Sequence, residues 1–94
     1  MNINKEIELL ISLTLGDHGD AERCAAFLLS LWDGDEYQID LQSLLDVDSE
    51  IHFAMMQIFN FLYINGSPLS TFVDENKMRP VLSRWHDFFS NRLD

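Results

Sequence analysis

Apolar residues recur along this chain at helical spacing and nowhere alternate convincingly with polar ones. That pattern constrains the fold more than any other feature. A half-buried strand needs an apolar residue at every second position, whereas a helix needs one every three or four. Ile3, Ile7, Leu10 and Ile11 define a first stripe, widened by Leu9 and Leu13, and predict a helix over 3–15 closed by a left-handed Gly16. Asp20 is placed to cap a second helix over 21–32. Its latter half is apolar on nearly all sides, which marks it as the central, most buried element, and Gly34 stops it.

Further along, Asp40 is placed to cap a short helix over Leu41 to Leu45, with Leu41, Leu44 and Leu45 facing inward. Asp48 is placed to cap a longer one over 49–64, where Ile51, Ala54, Met55, Ile58, Phe61 and Leu62 form the inward stripe and Asn65-Gly66 the stop. Ser67-Pro68 reads as an N-cap followed by proline at the first position of a short helical turn over 68–72. The last helix has two readings: Asp74 caps it and Pro80 lies inside, or Pro80 opens it. Either way Val81, Leu82, Trp85, Phe88 and Phe89 share one face, with fraying expected near Leu93. The expectation is an all-α fold, one domain over residues 1–94 with four main helices and one or two short ones around helix 21–32.

Charge is distributed unevenly. Between Arg23 and Lys77 there is no lysine or arginine, yet those 53 positions hold nine carboxylates. Residues 77–94 carry Lys77, Arg79, Arg84 and Arg92 against Asp87 and Asp94, so this segment is expected to pair with acids elsewhere. A long uncompensated anionic stretch favours a basic protein surface as partner and argues against direct binding of nucleic acid or an anionic membrane. No apolar run approaches the 18 residues of a membrane span, and the start, MNINKEIELL, lacks the basic region of a secretory signal. Cys24 is the sole cysteine, which excludes an internal disulfide and zinc sites built on paired cysteines; the expected setting is the cytoplasm.

No residue set names a reaction. Asp33-Gly-Asp35-Glu36 resembles the start of a calcium loop, but counting from Asp33 puts Gln38 where glycine is needed and Leu44 where the bidentate glutamate is needed. Counting from Asp46 puts Ile51 and Gln57 there. Asp20, Asp40, Asp48 and Asp74 are explained as helix caps. Asp33, Asp35, Glu36 and Asp46 have no capping role, and with Glu50 they are the expected partner-binding residues. His18, His52 and His86 lie in three different elements without the close spacing of a metal site, and His52 and His86 suit the rim of a core. Cys24 follows Arg23 near a helix N-terminus, a setting that can lower a thiol pKa, although a small buried apolar residue beside Ala25 is the better reading. There is no nucleophile–base–orienter pattern and no phosphate loop, so no catalytic residue, metal or cofactor is expected. Phe53, Met56 and Phe59 lie off the main stripe of helix 49–64. Large side chains of this kind either fill a small core or form an apolar interface. In the second case they would be the seam of a homodimer.

The run Ala25-Ala-Phe-Leu-Leu-Ser-Leu-Trp32, the acidic Asp33-Gly-Asp-Glu36, the run Ile39-Asp-Leu-Gln-Ser-Leu-Leu-Asp-Val-Asp48 and Ser83-Arg-Trp85 together resemble a domain-of-unknown-function family. Its members are short, acidic, helical bacterial proteins, often met on mobile elements. The resemblance covers about residues 7–88 and implies a bacterial, cytoplasmic, helical protein with no reaction to carry over. In composition alone the chain is also similar to phage-encoded inhibitors of host defence. The expected function is that of a non-enzymatic protein-interaction module presenting an acidic surface to a basic partner. One alternative is a nucleic-acid mimic that inhibits a nucleic-acid-binding defence protein. The other is a small enzyme or ligand binder.

Overall fold

Three carboxylates start helical elements where the sequence places them. Asp40 accepts the Gln42 N–H at 3.0 Å, Asp48 the Glu50 N–H at 3.1 Å and Asp74 the Asn76 N–H at 3.0 Å. Each satisfies a backbone donor that the first turn leaves without a partner. The computed structural model describes residues 3–91. These form four α-helices, α1 (Asn4–Leu15), α2 (Ala21–Trp32), α3 (Ser49–Asn65) and α4 (Glu75–Asn91). Two 3₁₀ turns, Leu41–Asp46 and Leu69–Thr71, complete the set, and there is no strand among the described residues. The fold is all-α.

The capping pattern fails at three places, each for a local reason. Asp20 stands at the start of α2, but its carboxylate does not cap it: one oxygen holds Arg23 at 2.9 Å and the other accepts the Asp48 N–H at 3.3 Å. A charged guanidinium is a stronger partner than a neutral amide. Gly16 is extended (φ −102°) rather than left-handed, and its N–H reaches back three residues to Leu13, so α1 ends in a tightened turn. At 67–68 the cap position belongs to Pro68, while the Ser67 hydroxyl donates to the Asn65 carbonyl at 3.3 Å. Gly66 behaves as expected. It takes the left-handed conformation (φ 64°), and the N–H groups of Gly66 and Ser67 close on the Leu62 carbonyl at 2.8 and 3.4 Å.

The central helix is α1, not α2. α1 packs on α2, α3 and α4, whereas α2 packs on α1, α4 and the 69–71 turn. α2 is still deeply buried, with Cys24, Ala25, Leu28 and Leu29 sealed from solvent. Its remaining apolar surface, at Phe27 and Leu31, faces a groove whose other walls include Ile39 and Leu44 of the segment that follows it. The inward set of α3 is as its periodicity predicts: Ile51, Ala54, Met55, Ile58 and Leu62 are buried and Phe61 is half-buried.

Leu41 and Leu45 do not face inward; they are 72% and 80% exposed. A 3₁₀ turn has three residues per turn, so Leu44 and Val47 share the inner side and Leu45 is carried outward; that spacing does not account for Leu41, which stands at the first position of the turn and lies in solvent. An α-helical turn would have grouped 41, 44 and 45 instead.

α4 follows the first of its two readings, starting at Glu75 with Pro80 inside. Val81 and Phe89 are buried, Leu82 and Trp85 half-buried, but Phe88 is turned outward, its ring meeting those of Trp85 and Phe89 edge-on. The expected fraying near Leu93 lies outside the described residues. Two contacts fasten α4 to α1. The Trp85 indole N–H donates to the Thr14 carbonyl at 2.9 Å, and Lys77 pairs with Glu8. Of the other C-terminal cations, Arg84 lies over the Trp85 ring and Arg79 meets no carboxylate among the described residues; Arg92 lies outside them.

Candidate interaction surface

The expected partner-binding acids occupy three consecutive features: the loop after α2, the end of the 41–46 turn, and the first turn of α3. Asp33, Asp35, Glu36, Asp46 and Glu50 are all exposed. Asp33 does have a local role after all. Its Oδ1 accepts the N–H groups of Asp35 and Glu36 at 3.2 and 3.3 Å, which folds the loop back on itself. The carboxylates of Asp35, Asp46 and Glu50 form no hydrogen bond or ion pair among the described residues.

Tyr37 fixes that loop to the body of the protein. It is buried, and its hydroxyl meets Nδ1 of His86 on α4 at 2.5 Å while the two rings pack edge to face. Burial raises the phenol pKa first, and the charges of Glu36 and Asp33 add to the effect. The acidic loop is therefore held on α4 by a tyrosine inside it. No sequence signal announces this anchor, since Tyr37 and His86 lie 49 positions apart.

The off-stripe residues of α3 point outward: Phe53 is 63% exposed, Met56 38% and Phe59 51%. Tyr63 and Ile64 continue the exposed apolar surface toward the end of α3. Positions 53, 56, 59 and 63 follow at helical intervals and line one side of the helix. Beside this side runs an apolar groove of about 240 Å³, walled by Phe27 and Leu31 of α2, Ile39, Leu41 and Leu44, and Met56 and Phe59 of α3. Its one polar lining residue, Ser30, already donates its hydroxyl to the Phe27 carbonyl at 2.9 Å.

Two further concavities have both polar and apolar walls. One, of about 210 Å³, is lined by Glu22, Arg23, Gln38, Asp40 and Ser43 together with Ala26 and Phe89. The other, of about 260 Å³, lies between α1 and α3 and is lined mainly by the apolar surface of Leu9, Phe53 and Ala54, with Lys5, Glu6 and Glu50. One Glu6 oxygen is buried without a hydrogen-bond partner.

The remaining chemistry-bearing side chains do not converge. His52 is on the exposed side of α3, away from the core rim expected of it, and His18 accepts the Asp20 N–H at 2.9 Å in the α1–α2 loop. Among the described residues no three His, Cys, Asp or Glu side chains are grouped to hold a metal ion. Cys24 is sealed in the core, and its thiol pKa is pushed up to about 12 by burial first and by the Asp20 carboxylate second. Arg23 does not activate it, since its guanidinium is engaged by Asp20. No helix among the described residues is long and apolar enough to cross a membrane.

The chain belongs to a family of unknown function (DUF7673), whose pattern matches residues 5–86. No curated protein and no solved structure matches it.

Proposed function

We propose that this member of a family of unknown function is a non-enzymatic interaction module that presents Asp33, Asp35, Glu36, Asp46 and Glu50 to a basic partner protein. One observation carries the reading. Asp35, Asp46 and Glu50 are exposed and unengaged within a 53-residue stretch that holds no lysine or arginine. Opposite charge must then come from elsewhere. Phe53, Met56 and Phe59 add apolar contact beside the acids, the combination of core and rim that protein interfaces use. A chain with one cysteine, sealed from solvent as a thiol, suits the cytoplasm.

The test is capture of a partner from the chain's own cell lysate, followed by reconstitution with the purified partner. The triple variant Asp35→Asn, Asp46→Asn, Glu50→Gln serves as comparison. The expected result is binding that weakens steeply between 50 and 500 mM salt and a slower association rate for the triple variant, by about tenfold or more. Binding that is equally tight at both salt concentrations, or equally fast for the variant, sinks the reading.

A further inference from the structure

The apolar groove between α2 and α3 asks for an occupant, and the charge around it restricts the choice. Its walls come from Phe27 and Leu31, from Ile39 and Leu41, and from Met56 and Phe59. The sole polar side chain in it, Ser30, is already satisfied by its own helix. Nothing inside would orient a small polar ligand, and its volume of about 240 Å³ falls below the usual range for small-molecule sites. Apolar side chains from another chain fit it better.

The rim is acidic along the segment from α2 to the 41–46 turn. Asp33, Asp35 and Glu36 lie between the wall residues Leu31 and Ile39, Asp40 lies between Ile39 and Leu41, and Asp46 follows Leu44 by two positions. All five are exposed. Every wall residue falls within positions 24–76, where nine carboxylates stand against no lysine or arginine.

A second copy of this chain would bring that same uncompensated segment against itself, and like charges brought together at an interface cost affinity. An anionic lipid surface meets the same repulsion. We propose that the groove docks an amphipathic helix of a partner protein, one with Leu, Ile, Met or Phe along the seated stripe and Lys or Arg along its flanks. This rests on the acidic-surface reading above and adds the partner's secondary structure and pattern. Seating by an apolar stripe at i, i+3, i+4 and i+7 is how grooves between helices are commonly filled. The flanking cations then meet Asp35 and Asp46, which have no partner of their own among the described residues.

Three synthetic peptides of about 18 residues, roughly five helical turns, test this on the intact chain. The first places leucine on one helical stripe and lysine elsewhere. The second has the same composition in scrambled order, and the third replaces each lysine by glutamate. Fluorescence anisotropy gives Kd, and amide NMR shifts give the contact site. The striped lysine peptide is expected to bind about tenfold or more tightly than the scrambled one, with shifts at residues 39–44 and 56–59. Phe59→Ser, at a half-exposed position with circular dichroism confirming the fold, should remove most of that preference. The glutamate peptide should not bind.

If both lysine peptides bind equally and only Asp35→Asn with Asp46→Asn weakens them, the groove proposal is overturned while the acidic surface stands. If neither lysine peptide binds, both fall. A doubled mass in solution that Phe59→Ser returns to the monomer also overturns the proposal, because the occupant would then be a second copy.

Discussion

Replacing Cys24 by alanine should change how stability depends on pH, and the direction follows from its burial. Cys24 has no exposed surface, and burial with the Asp20 carboxylate lifts its thiol from the ordinary 9.0 to about 12. The fold therefore holds the neutral thiol. Its favourable contribution is fully present below pH 9, where the unfolded chain also carries a thiol. As pH rises past 9 the unfolded state ionises and the folded state does not, so stability falls until the folded thiol also ionises near pH 12. The loss attributable to this one group is a few tenths of a kcal/mol at pH 9 and roughly 1 kcal/mol at pH 10.

Urea titrations of the wild type and Cys24→Ala at pH 7, 8, 9 and 10 isolate the effect. Every other ionisable group is common to both proteins and cancels in the difference. Cys24→Ala is expected to differ from the wild type by a constant amount up to pH 8, after which the wild type loses stability faster, by a few tenths of a kcal/mol from pH 8 to 9 and by about 1 kcal/mol from pH 9 to 10. The native thiol should also resist alkylation at pH 8 and react once urea opens the core. Two parallel stability curves through pH 10, or rapid alkylation of the folded protein, would refute the argument that this thiol is held neutral by its surroundings.

Four further substitutions test other parts of the structure by the same urea titration. Trp85→Phe removes the indole N–H that reaches the Thr14 carbonyl and should cost about 1–3 kcal/mol with the lost ring volume; a neutral result would mean that α4 is not latched to α1 there. Leu45→Ser, at a position 80% exposed, should change stability by no more than about 0.5 kcal/mol, whereas Leu28→Ala in the sealed core should cost about 2–5 kcal/mol. Similar losses for both would place the 41–46 turn against the core after all. Gly66→Ala forces a side chain into a left-handed position (φ 64°) and should cost about 1–2 kcal/mol; no loss would mean the end of α3 rearranges freely.

The helices were legible because their apolar spacing and their punctuation agree. Asp40, Asp48 and Asp74 cap, Gly66 stops, and the buried residues of α3 are those of its inward stripe. What the sequence left open turns on competition between partners. Asp20 looks like a cap, but Arg23 three residues on and the Asp48 N–H take its two oxygens instead. Leu45 joins Leu44 on the inner side only if the turn is α-helical; as a 3₁₀ turn it carries Leu45 out to solvent. Of the candidate site, Phe53, Met56 and Phe59 were legible as apolar residues surplus to the stripe, while core filling and exposure both stayed open until the structure placed them in solvent. The Tyr37–His86 contact was not, because it joins positions 49 residues apart and neither belongs to a periodic pattern.

The acids of this chain divide by what their charge does. A carboxylate that caps a helix keeps its charge: Asp40, Asp48 and Asp74 accept neutral backbone N–H groups, as does Asp33 in its loop, and none is neutralised by doing so. Arg23 and Lys77 form ion pairs, with Asp20 and Glu8. Both acids so paired lie outside the cation-free stretch from 24 to 76. Local structure therefore explains where many of these carboxylates sit without explaining why no cation accompanies them. Capping would work equally well with asparagine or serine, which bring no charge. Self-repulsion of this size weakens the compact state, and a chain that keeps it while leaving Phe53, Phe59 and Leu41 in water carries two unfavourable features together, side by side on α3 and the segment before it. One event removes both at once: contact with a surface that is apolar at its centre and cationic at its edge.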